Sequence, residues 1–87
     1  MFGLGMAGPA HCLVNHHSGY RVLLLSSHHH NHRRDLIPVV QLDVRPTPTG
    51  NDGEWMLAVG DDAGIVRQSH LRVVSQARPG FSDRPCG

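Results

Sequence analysis

The sequence predicts a mainly β domain with little helix, a small barrel or a sandwich. Three observations predict it. The apolar residues fall in short runs broken by Gly, Pro, Asn and Asp. None of these runs sustains a helical period. Ten glycines and six prolines in 87 residues favour tight turns and short strands over long helices.

The elements follow in chain order. Residues 1–8 are Gly-rich and read as a disordered segment ahead of one barrel domain spanning 9–80. Ala10 to Val14 is a short first strand, and Asn15 to Gly19 is a turn by composition. Arg21 to Ser26 is the clearest strand, because Val22, Leu23, Leu24 and Leu25 form a continuous apolar run suited to burial on both faces. A polar loop follows to Asp35. Leu36 to Val44 reads as the next strand, with Pro38 placing it at an edge or at a strand start, since proline has no N–H to donate. Arg45 to Gly53 is a Pro- and Gly-rich loop. Trp55 to Val59 is a strand, with Trp55 either a core residue or a surface for stacking a base. Gly60 to Gly64 reads as a turn, with room for one helical turn capped by Asp61. Ile65 to Arg67 and His70 to Val74 are two more short strands. The polar stretch 81–87 reads as a flexible C-terminal tail.

Length and charge narrow the function classes. A chain of this size buries only about 60% of its unfolded surface, so a partner or a second copy would add stability. The net charge is +1, so no global field draws the chain onto nucleic acid. All eight basic residues are arginine, the side chain that grips phosphate with two hydrogen bonds, although a GC-rich genome produces the same bias. Cys12 and Cys86 are the only cysteines, and spacing alone does not say whether they meet. The apolar start lacks a basic n-region and a long apolar run, so neither a signal peptide nor a membrane span is expected and a cytoplasmic location is the default.

The layout of the first half resembles the MazF/PemK toxin family. Gly19-Tyr20-Arg21 leads into the Val-Leu-rich strand and Ser26-Ser27, Asn31 falls in the next loop, and the strand from Leu36 to Asp43 follows. Further on come Gly64, the Ile65-Val66 pair, and His70-Leu71-Arg72-Val73-Val74, which is similar to the family's Gln-Ile-Arg-Thr-Val element. The chain departs from the pattern in four places. The first loop has no acidic residue, Leu42 and Asp43 stand near the place of the family's threonine, His70 replaces glutamine, and the C-terminal helix is expected to be absent or reduced. The resemblance implies a small SH3-like barrel of the CcdB/PemK/MazF type that is the toxin of a toxin–antitoxin pair, a metal-independent endoribonuclease acting on single-stranded RNA. It also implies a homodimer, RNA bound across its interface, and an antitoxin protein whose tail covers that groove. The other reading is a non-catalytic binding protein on the same barrel, a degenerate toxin or a CcdB-like inhibitor of a protein target.

The candidate site residues follow from this chemistry. Arg21, at the strand mouth, suits stabilisation of charge on phosphoryl oxygens, or else simply closes a strand edge in solvent. His70 suits a general base for the 2′-hydroxyl, with Arg72 on the same face if the segment is a strand, or else is a surface histidine. Arg33, Arg34 and Arg72 are candidate RNA contacts. His28, His30 and His32 share a face if extended and are weak candidates for a metal site; a polar loop with accidental metal affinity is the other reading. No cofactor is expected.

Overall fold

The computed structural model describes residues 8–27 and 34–87. The described chain is mainly β, an antiparallel sheet curled into a half-barrel. The strands are β1 (His11–Asn15), β2 (Arg21–Ser27), β3 (Arg34–Pro38), β4 (Thr47–Pro48), β5 (Glu54–Val59), β6 (Asp62–Arg67) and β7 (Phe81–Pro85). One helix, α1 (Gln68–Ala77), runs on directly from β6, and a 3-10 turn covers Val39–Gln41.

The sheet order is β4-β5-β6-β2-β1-β7, with β3 paired to β2 outside that path. The registers explain how β2 takes three neighbours. β3 occupies one edge from Val22 to Ser26. The other edge is divided, with β1 at Arg21 and Val22 and β6 at Leu25 to Ser27. β1 and β6 therefore part from a common strand, and α1 packs against β1, β6 and β7 where they do so. Leu71 is the fully buried residue of the helix. It joins a core of Cys12, Leu13, Leu23, Trp55, Leu57 and Val66, all 2% exposed or less. Trp55 is thus a core residue, and its indole N–H is satisfied by the Gly8 carbonyl at 3.2 Å.

Close approach of β6 to β2 depends on Gly64. A Cβ there would meet Leu25 Cγ at 2.7 Å and the Ser26 carbonyl oxygen at 2.8 Å. The leucine can turn aside, but the carbonyl belongs to the ladder. Gly64→Ala is expected to destabilise the fold by about 2 kcal/mol or more through overpacking; a urea midpoint unchanged from wild type would show that β6 shifts freely.

Four expectations are corrected. The strand placed at Leu36 to Val44 begins earlier, at Arg34, and stops at Pro38, where the missing N–H ends the ladder and the chain enters the 3-10 turn. Pro38 does lie on an edge strand, as proline requires. The turn at Gly60 to Gly64 is only two residues long; Val59 already pairs with Asp62, and Gly64 is inside β6. The strand placed at His70 to Val74 is part of α1. Gln68, Leu71, Val74 and Ser75 face inward at helical spacing while Val73 is 60% exposed. Lastly, 81–87 is not a loose tail: β7 pairs with β1 from His11↔Pro85 to Asn15↔Phe81, and Cys86 is disulfide-bonded to Cys12 across a Cα–Cα distance of 5.2 Å.

Among the described residues the outermost strands β3, β4 and β7 each have a single neighbour, and each ends in a proline, Pro38, Pro48 and Pro85. Among the described residues no helix is long and apolar enough to cross a membrane.

Candidate active site

The parting of β1 from β6 sets up a partly buried polar cluster. His11 opens β1 and Asp83 is central in β7. Leu13 is the direct partner of Asp83 and Pro85 that of His11, so the two side chains are diagonal neighbours on one face. His11 Nδ1 lies 2.6 Å from Asp83 Oδ1. An ionised carboxylate only accepts, so Nδ1 carries the hydrogen and Nε2 of the neutral ring is left as the acceptor. The ring stacks on Trp55, with centroids 5.7 Å apart and planes at 26°, which fixes its plane.

The helix completes the cluster. Gln68, its first residue, is anchored by its backbone N–H to the Gly53 carbonyl at 2.9 Å. Gln68 Nε2 donates to Asp83 Oδ2 at 3.2 Å and lies 3.3 Å from His11 Nδ1. Arg72, one turn further, brings Nε to 3.9 Å from Asp83 Oδ2. The side chains of His11 and Asp83 are 22% and 13% exposed, whereas that of Arg72 is 64% exposed, so the guanidinium reaches solvent while the dyad is sheltered. Gln68 and Arg72 also line a cleft of about 310 Å³ with Gly53, Glu54, Arg67 and Ser69.

Glu54 holds the other wall. Asn51 and Thr49 each donate to its Oε1 at 2.9 Å, and Arg67 Nε donates to its Oε2 at 3.0 Å. These bonds, that from Asn51 first, lower its pKa to about 2. Glu54 is therefore ionised at any pH near neutral and occupies one donor of Arg67.

The expected pair Arg21 and His70 is not brought together. Arg21 and Ser26 are five residues apart in one unbroken strand, so their side chains leave opposite faces, roughly 17 Å apart along β2. Arg21 donates to the Cys86 carbonyl, whereas His70 shares a 3.2 Å hydrogen bond between Nδ1 and Ser26 Oγ. Arg72 is two helix positions from His70, about 200° round the axis, and serves Asp83 instead. Arg34 pairs with Ser26 across β2 and β3 and sits near His70. Arg33 and the histidines 28, 30 and 32 lie outside the described residues, and among the described residues no group of three or more His, Cys, Asp and Glu is placed to hold a metal.

Burial first, then the charges of Arg34 and Arg67, lower the pKa of His70 from the ordinary 6.5. The folded state therefore resists protonation that the unfolded chain accepts. The contribution is full above pH 6.5 and is lost as the pH falls below it. Wild type is expected to lose more stability between pH 7.5 and pH 5 than His70→Gln, measured by urea midpoints; identical slopes would remove His70 from the acid response.

His11, Gln68 and Asp83 were not legible as a site. They are scattered over 72 positions, and no local motif links them. The one usable signal is the cysteine pair: Cys12 adjoins His11 and Cys86 is three residues beyond Asp83, so joining them lays the two segments side by side. Comparison with protein families, with characterised proteins and with solved structures finds no match to the chain.

Proposed function

We propose that this chain is a metal-independent endoribonuclease whose general base is His11. The observation that carries the reading is the 2.6 Å bond from His11 Nδ1 to Asp83, with Gln68 and Arg72 on the same carboxylate. The reaction class follows from these side chains, and RNA as substrate follows from the resemblance to MazF/PemK proteins. In the proposed reaction His11 Nε2 takes the proton of a ribose 2′-hydroxyl. The 2′-oxygen bonds to the adjacent phosphorus, and the bond to the 5′-oxygen breaks, leaving a 2′,3′-cyclic phosphate. The departing 5′-oxygen takes a proton from water. Arg72 meets the charge that builds on the phosphoryl oxygens, and Asp83 stabilises the imidazolium that forms. Arg34 and Arg72 remain candidate RNA contacts. A homodimer and an antitoxin partner are the setting that the resemblance adds. The disulfide fits an oxidising compartment better than the cytoplasm.

The second reading, a non-catalytic binding protein on the same barrel, is favoured by the separation of Arg21 from His70. One experiment tests both: incubation of the oxidised protein, in excess chelator, with an RNA and with its copy carrying a single 2′-deoxy sugar at each cut position. Cleavage of the RNA and full resistance of the deoxy copy is the expected result. Cutting of the deoxy copy overturns the mechanism, and no cutting of either leaves the binding protein.

A further inference from the structure

On the opposite face of β2 from the dyad lies a second concavity, of about 380 Å³. Its walls are Leu23, Val39, Leu42 and Val44, with Arg21 and Arg45 among them. Leu23 is 1% exposed and forms the floor; Val44, at 51%, forms the lip. Among the described residues no aspartate or glutamate lines this groove; Asp43 lines an adjoining cleft that shares Leu42 and Val44 with it. Arg21 spends one donor on the Cys86 carbonyl and makes no other side-chain hydrogen bond or ion pair among the described residues. Arg45 makes no hydrogen bond or ion pair among the described residues. The volume is at the scale of small-ligand sites, which combine an apolar lining with a few polar groups that fix orientation.

We infer that this groove binds a small amphiphilic carboxylate, with its chain on Leu23, Val39 and Leu42 and its headgroup between Arg21 and Arg45. The two guanidinium groups supply the charge that selects an anion, and their planar forks suit a carboxylate. The apolar floor selects the chain. The site is independent of the His11–Asp83 dyad, which faces the other way.

The test is an NMR titration of the intact, oxidised chain with hexanoate, octanoate and decanoate below their micelle concentrations, and with octylammonium as the cationic control. Saturable shifts are expected at Leu23, Val39 and Leu42, with Leu71 on the far side unmoved. Each added methylene should tighten binding roughly three- to fourfold until the groove is full, and octylammonium should not bind. Arg45→Ala should weaken octanoate about tenfold. Arg21→Ala should do the same, but because Arg21 also holds the Cys86 carbonyl, Arg45→Ala is the variant that decides. Unchanged affinity in Arg45→Ala, equal binding of octylammonium, shifts centred on Leu71, or no saturation by any of the three acids would overturn the inference.

Discussion

Reduction of the Cys12–Cys86 disulfide is expected to lower the unfolding free energy by about 4 kcal/mol. The bond closes a loop of 74 residues, and the loss of chain entropy in the unfolded state scales with the logarithm of that length. For a domain of this size the whole stability is on the order of 5–15 kcal/mol, so the reduced protein should melt tens of degrees lower, at about 4–8 °C per kcal/mol. The native state adds a local reason. β7 contributes only Phe81 as a large apolar side chain, so pairing with β1 and the bond from Cys86 hold it in place. Urea melts with and without reductant, and of the Cys12→Ala, Cys86→Ala double variant, measure the effect. If the reduced protein stays within about 1 kcal/mol of the oxidised one, the strand pairing alone anchors β7.

His11→Ala is expected to lower RNA cleavage by about 10²–10⁴-fold, the range for removal of a positioned general base. Asp83→Asn keeps a hydrogen-bonding side chain but loses the carboxylate that sets the tautomer and steadies the imidazolium, so a loss of about 10²-fold or more is expected. A merely structural pair would also weaken the fold, so two further readouts separate the cases. Added imidazole should restore part of the rate to His11→Ala and none to Asp83→Asn. Both proteins should keep the wild-type circular dichroism at the assay temperature. Cleavage by His11→Ala within twofold of wild type would end the proposal.

The parts of the fold legible in the sequence are those whose stability is local or densely apolar. Val22 to Leu25 announces a buried strand because four consecutive apolar residues have few other uses in so short a run. Pro38 fixes an edge because proline cannot donate, and Trp55 is core because its bulk has to be covered. The parts that were not legible are held by distant residues. The apolar residues on the buried side of α1 are only Leu71 and Val74, and its two valines imitate a strand. β7 reads as a polar tail because its partner and its covalent tie lie some 70 positions away. The dyad shares that fate: His11 and Asp83 meet only because β7 returns to β1, a non-local contact that no spacing rule contains. Arg21 and His70, by contrast, stood in suggestive places along the chain, but strand alternation and the turn into α1 send them to opposite sides.

The three prolines at the ends of β3, β4 and β7 bear on how copies of this molecule meet. Each of these strands stops at a residue with no amide hydrogen to offer an incoming chain, and β7 and β3 add Arg84, Arg34 and Asp35 beside it. Charge and proline together are the features that keep sheet margins from recruiting further strands. A pair of molecules would therefore form through the faces or through α1, leaving the sheet the same width in the pair as in the single chain, and a concentrated solution should resist growth into fibrils.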